Sequence, residues 1–363
     1  MTTRVPQVRR AKWNDSFYSG APILGLAIAL GYGCAPSGAT SKVAPPTAHD
    51  TPIGGGIGVS EQGEAQAAAL TPEAAIREAV AADGRSEADR ALDAGRHPAE
   101  MLTFFEVAPG QRVAELAAGG GYTAELLVRV VGPTGLVYGQ NSPFLLQRFA
   151  EKPWSERLSL PQMQGVVRVD RDFEAPLPPE AKDLDAVLFI LFYHDTVWMK
   201  TDRAKMNASI FRALRPGGVF GLVDHSARAG TGLDDVESLH RIEKSIVIHE
   251  VQEAGFLLEA EGDFLQNPSD TRDWSASPRT VGERRGTSDR FVLRFRKPDS
   301  VSCAGPRNTK CSEYEAPVCG VVDTGVRCIQ APCPSSEKRS FLNACKACAD
   351  SSVVQFTPGS CKP

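Results

Sequence analysis

From Arg112 onward the chain alternates short apolar runs with amphipathic stretches. Val113, Ala114 and Leu116 end in Gly119-Gly120-Gly121; an amphipathic segment carrying Leu126, Leu127 and Val130 follows, and then a second apolar run, Leu136 to Tyr138. That is a strand, a glycine turn, a helix and a strand in about thirty residues, the size of one βαβ unit. Glycines suit such a turn because a residue without Cβ lets backbone N–H groups at a helix N-terminus approach a ligand. Further strands are predicted at Gly165 to Val169, at Asp183 to Phe192, after Leu214-Arg-Pro-Gly-Gly218, at Phe256 to Ala260 and at Arg290 to Phe295. The run Asp183 to Phe192 is apolar along its length, as a central parallel strand covered on both faces should be. Helices are predicted from Thr71-Pro72-Glu73, over Ser86 to Ala94, over Pro98 to Phe105 and over Asp235 to Ala254, the first by its hydroxyl cap, first-turn proline and first-turn acid.

The segment Arg112 to Asn141 resembles motif I of the class I S-adenosylmethionine-dependent methyltransferases. Glu115 holds the acidic place at the end of the first strand, Ala117 replaces the first glycine, and Gly119 and Gly121 keep the other two. The family usually ends its second strand with an acid that grips the ribose hydroxyls; Asn141 stands there, after Gln140. The Leu-Arg-Pro-Gly-Gly turn before the fifth strand is a second feature of the same family, in the right order. The phrases AAGGGYTAELL, YHDTVW, LVDHSARAGTG, LHRIEK and DRFVLRFRKP are similar to a group of exported bacterial proteins classed as methyltransferases, with no established substrate. The resemblance implies a doubly wound, mostly parallel seven-stranded Rossmann-like sheet over residues 69–299, S-adenosyl-L-methionine as cofactor, and methyl transfer. It also implies that Asp172, rather than Asp170, contacts the adenine amino group.

In a doubly wound sheet ligands bind beyond the carboxyl ends of the strands. His194 and Asp195 follow the fourth strand and His225 follows the fifth, so the topology brings them to one rim as candidate catalytic residues. Methyl transfer to an O–H or N–H needs alignment of the acceptor and removal of a proton, and histidine titrates near the working pH. Asp195 or Asp224 would orient an imidazole. His194, His225 and His240 with nearby carboxylates offer metal chemistry as the alternative, but their spacing matches no compact metal motif, and no metal is assigned. His240-Arg241 is expected inside a helix, as a packing or ion-pair couple. Arg90, Asp93, Arg96 and His97 precede the central unit and are expected on a solvated face.

The chain has 363 residues, 40 basic against 44 acidic side chains, and no long basic run, which gives no electrostatic footing for nucleic acid. Its first 34 residues read as an export signal: Arg4, Arg9, Arg10 and Lys12 precede an apolar core, Ala21 to Leu30, too short to span a bilayer. The run stops at Gly31-Tyr-Gly-Cys34, which resembles a degenerate lipobox and implies lipidation of Cys34, hence a lipid-anchored protein of the bacterial cell envelope. Residues 35–68 are rich in Ala, Pro, Gly, Ser and Thr and read as a flexible linker.

Eight of the nine cysteines lie between Cys303 and Cys361, a density that reads as a disulfide framework in an oxidising compartment. The spacing C-x7-C-x7-C, the Pro-Val-Cys-Gly320 signature and the segment Phe341-Leu-Asn-Ala-Cys-Lys-Ala-Cys348 resemble a Kazal-type module over residues 300–363. The resemblance implies the pairs Cys303–Cys348, Cys311–Cys345 and Cys319–Cys361, with Cys328 and Cys333 left to each other, and an inhibitor loop with Glu313 at its specificity position. The leading expectation is methyl transfer to a small molecule or envelope component. A non-catalytic binding protein of the same fold, and a serine protease inhibitor acting through the tail, are the alternatives.

Overall fold

The computed structural model describes residues 70–305, 307–311, 313–328 and 333–361. The export segment with Cys34, the linker over 35–68 and His49 lie outside them. Seven strands, β1 (Arg112–Leu116), β2 (Leu136–Asn141), β3 (Val166–Asp170), β4 (Leu184–Ile190), β5 (Leu214–His225), β6 (Leu257–Gly262) and β7 (Arg290–Arg296), form one sheet in the order β3-β2-β1-β4-β5-β7-β6. The first five run parallel, and β7 is antiparallel to both β5 and β6. This is the doubly wound, mostly parallel Rossmann-like α/β fold that the sequence implied.

Side chains alternate across the strands and build two cores. Val113, Ala186, Leu188, Val219 and Val223 face one, with helices α1 (Pro72–Ala81), α3 (Pro98–Phe104) and α4 (Tyr122–Val131) packed there; Ala114, Val187, Phe189, Phe220 and Leu222 face the other. Between α1 and α3 runs α2 (Glu87–Arg96). After β2 a single turn, α5 (Pro143–Leu145), continues through Leu146–Ala150 into α6 (Glu151–Leu158). The second core is covered by α8 (Arg203–Ala213), which follows the single turn α7 (Asp195–Trp198), and by α10 (Lys244–Glu253). The predicted cap forms, with Thr71 Oγ1 accepting from Ala74 N at 3.3 Å, and Ser86, expected inside the second helix, caps it instead, its Oγ accepting from Asp89 N at 3.1 Å.

One predicted helix is corrected. Asp235 to Ala254 is interrupted: α9 (Val236–Leu239) ends at His240, whose φ of 51° is left-handed, and α10 begins only at Lys244. Between them Arg241 is fully buried, donating to Asp270 Oδ2 at 2.9 Å, Ser226 O at 3.0 Å and Trp274 O at 3.1 Å. Removing one partner of a buried ion pair costs about 3–5 kcal/mol, more than the few tenths per residue that helix propensity offers. Ile242 N donates to His225 O at 3.0 Å, which holds the broken segment against the end of β5.

The tail forms its own four-stranded sheet, β8 (Val301–Ser302), β9 (Val318–Asp323), β10 (Ser336–Phe341) and β11 (Val353–Pro358), in the order β10-β9-β11-β8, with helix α11 (Ala344–Ala349). Disulfides join Cys303 to Cys348, Cys311 to Cys345, Cys319 to Cys361 and Cys328 to Cys333. The apolar cluster inside is small, so these staples supply what such a core lacks.

Trp154 of α6 is fully buried against the sheet edge and explains Gly139: a Cβ there would lie 2.6 Å from Trp154 Cζ2. Gly139→Ala is therefore expected to destabilise the fold by about 1–3 kcal/mol through overpacking. A thermal melt checks this; an unchanged midpoint would contradict it.

Candidate functional site

The glycine turn is held from β2. Ala117, Gly119 and Gly121 all have positive φ, of 52°, 58° and 85°. For Ala117 that conformation costs on the order of 1 kcal/mol, and it persists because the neighbours fix it. Gln140 Oε1 accepts from Ala117 N at 3.0 Å, and the Gln140 carbonyl accepts from Ala118 N at 2.8 Å. Asn141 binds Gly119 twice: its Oδ1 accepts from Gly119 N at 2.8 Å and its Nδ2 donates to Gly119 O at 3.1 Å. Only an amide can accept and donate in this way; a carboxylate cannot donate.

A cavity of about 1210 Å³ opens at the carboxyl edge of the sheet. It is lined by Glu115, Ala117 and Gly119 of β1 and its turn, by Arg96 of α2, by His225 of β5 and by Arg290 of β7. Asn141 is fully buried and does not line it, because its side chain is spent on Gly119. Asp172 is exposed and does not line it either.

Glu115 is 4% exposed, and its Oε2 has no hydrogen-bond partner among the described residues. Burial pushes its carboxyl up to about 8, against the opposing pull of the Thr123 hydroxyl, Arg96 and the Ala124 amide. Of the four residues expected on a solvated face before β1, Arg96 instead lines the cavity, with its guanidinium 4.3 Å from the centroid of the Tyr122 ring. Asp93 accepts from Tyr122 Oη at 2.6 Å and pairs with Arg85, Arg90 donates to Ala82 O, and His97 lies beside Glu100. Arg290 donates to three backbone carbonyls, those of Ser288, Gly95 and Gly286. Burial, and then Arg96, lower it to about 10.

The rim histidines come together around Asp224. This fully buried carboxylate accepts from His194 N at 2.7 Å and His225 N at 2.8 Å, and its Oδ1 lies 2.7 Å from His194 Nδ1. On the far side of His194, Nε2 is 3.3 Å from Asp195 Oδ1 and 3.4 Å from His240 Nδ1. Burial alone would lower His194, but Asp224 and Asp195 outweigh it and raise the imidazole to about 10. His225 is pushed well below the ordinary histidine value by burial, then by His194 and Arg290, and its Nδ1 lies 2.8 Å from Ser288 Oγ. So the structure gathers His194, Asp195 and His225, yet only His225 faces the cavity. Arg290 escapes sequence reasoning because it reads only as the first residue of a strand, whereas His240 enters there only as a minor metal alternative and is expected inside a helix.

In the tail, Glu313 pairs with Lys346 at 2.7 Å. The residues after it pack on α8: Tyr314 and Ala316 are buried with Ala208, and Arg212 Nη1 donates to Glu315 O at 3.3 Å. Glu313 itself keeps an exposed side chain.

No known protein-family profile matches the chain. Among solved structures it is similar to an S-adenosylmethionine-dependent methyltransferase from Aquifex aeolicus, at 14% identity over 54% of this chain and 87% of that one, with a TM-score of 0.40. It is also similar to TrmN from Thermus thermophilus, at 16% identity over 55% and 47% of the two chains with a TM-score of 0.37. A third is fibrillarin from Aeropyrum pernix with natively bound S-adenosyl-L-methionine, at 14% identity over 52% and 67%, TM-score 0.35.

Two expectations follow. Asn141→Asp removes the donor to Gly119 O and should destabilise the chain by about 1–3 kcal/mol; denaturant unfolding reads this, and an equal or higher midpoint contradicts it. For Glu115, a folded value of about 8 lies above the ordinary 4.5. Its contribution to stability is thus full below pH 4.5 and is lost as pH rises toward 8, by an amount on the order of a few kcal/mol. Glu115→Gln should therefore gain stability relative to the parent between pH 5 and 8, and a difference independent of pH would refute the assignment.

Proposed function

We propose that the protein is an exported S-adenosylmethionine-dependent methyltransferase, lipid-anchored through Cys34, acting on a small molecule or a component of the cell envelope. The observation that carries this reading is the buried, unpartnered Oε2 of Glu115, beside an open glycine turn in a cavity at the carboxyl edge of a Rossmann-like sheet. S-adenosylmethionine, when bound, supplies an electrophilic methyl group on a sulfonium. Glu115 would take its ammonium, whose charge would draw the buried carboxyl down from about 8 into its ionised form. Arg96, whose charge meets a ring rather than a carboxylate, would take its carboxylate. A Cβ at Gly119 would meet nothing nearer than Ala117 O at 4.0 Å, so backbone is bared to the cavity at this point. The ribose lacks the acidic partner usual in the resembled family, since Asn141 is engaged elsewhere.

His225 is the member of the histidine cluster that lines the cavity, and it would receive the proton an acceptor gives up. Four disulfides in the tail agree with export, because such bonds persist in oxidising compartments.

Calorimetric titration of the purified chain with S-adenosylmethionine and its demethylated product tests the reading. Micromolar binding is expected, lost in a folded Gly119→Arg variant; a folded parent chain that binds neither compound would return the protein to a non-catalytic binding role.

A further inference from the structure

We propose that His194, Asp195 and His240 form a three-ligand site for a divalent transition metal, zinc foremost, behind the cavity wall. The inference stands apart from methyl transfer and needs no cofactor.

Three donor atoms converge there. His194 Nε2 lies 3.3 Å from Asp195 Oδ1 and 3.4 Å from His240 Nδ1, and the third side of the triangle, His240 Nδ1 to Asp195 Oδ1, is 3.3 Å. Zinc binds histidine nitrogen at about 2.0–2.1 Å and carboxylate oxygen at about 2.0–2.2 Å; at tetrahedral angles those bonds separate neighbouring donors by about 3.3–3.4 Å. All three sides agree with that edge. A metal entering here would displace the proton that Asp224 and Asp195 hold on His194, and the distances are long for hydrogen bonds. Charge-assisted bonds run at about 2.7–2.9 Å, and His194 makes such a contact on its other nitrogen, 2.7 Å from Asp224 Oδ1. The three mutual contacts are longer by about half an ångström, and one of them sets two imidazole nitrogens face to face.

The surrounding shell is that of a ligand set. Metal-binding histidines usually turn the second ring nitrogen to a carboxylate, which fixes the tautomer; Asp224 does this for His194 and is itself fixed by two backbone amides. Asp195 is held by Trp198 Nε1, which donates to Oδ1 at 2.7 Å. His240 is set by its left-handed backbone and by the buried Arg241–Asp270 pair that follows it. The His240 side chain is 27% exposed, so the cluster has an edge open to solvent. Three protein ligands and one open position are the arrangement of catalytic rather than structural zinc.

The test uses the full chain, free of any histidine tag, stripped with a chelator and then titrated with zinc chloride, with metal content measured by mass spectrometry and folding by circular dichroism. One zinc per chain is expected. Folded His240→Ala and Asp195→Asn should each bind it at least tenfold more weakly, and cobalt(II) in the parent chain should give the intense visible bands of tetrahedral coordination. A folded parent chain that retains no zinc overturns the proposal, as does zinc held equally by both variants. The cobalt spectrum reads the parent alone, so a variant that fails to fold leaves the question decidable.

Discussion

The end of the sheet depends on one buried carboxylate. Asp224 has no exposed surface, and a charge in that position is tolerated only when its oxygens are satisfied. It meets that condition by taking the backbone amides of His194 and His225 and the ring nitrogen of His194. The cost of losing the His194 contacts locks the segment after β4 to the end of β5. The two histidines then point in different directions from one anchor, His225 to the cavity and His194 to Asp195 and His240. Strand pairing alone would not do this, because the β4–β5 register ends at Ile190 and Val223, before the histidines begin.

The sheet was largely legible in the sequence because its signals are local. Short apolar runs between turns mark most of the strands, and Thr71 with the proline and acid after it marks the first helix. What was not legible depends on partners far along the chain. The break between α9 and α10 follows from Arg241, whose carboxylate Asp270 is 29 residues away; nothing in the periodicity of Asp235 to Ala254 announces it. Arg96 reads as solvated because its helix is polar, and only the tertiary fold turns it over Tyr122 toward the cavity. Asn141 was legible as a departure from the family pattern, but the reason for an amide there is the carbonyl of Gly119, which a sequence does not display.

The tail poses a different physical problem. Its cysteine spacing was readable, because a module with so little core must declare its staples in covalent form. Its placement was not. Tyr314 and Ala316 are small contributions to a large surface, yet they sit on Ala208 of α8, so the stretch around Glu313 is ordered by the larger domain as well as by Cys311. A loop held from both sides is rigid, and Glu313 at its start keeps a largely exposed side chain. That arrangement favours a module that stays with its own chain.

Asp224 contacts both His225, which lines the cavity, and His194, which meets Asp195 and His240, and this links the two places. Oδ1 of that residue faces both the His194 ring and the His225 amide. Any group that draws electron density from His194 Nε2 strengthens the Nδ1 hydrogen bond to Asp224, because a more acidic N–H donates more strongly. The carboxylate is then held closer to His194, and His225, tied to the same oxygen, follows through its backbone. The scale of such a shift is small, since Asp224 is fully packed and Ser288 restrains the His225 ring. Asp224 therefore holds His194 and His225 in one fixed relation.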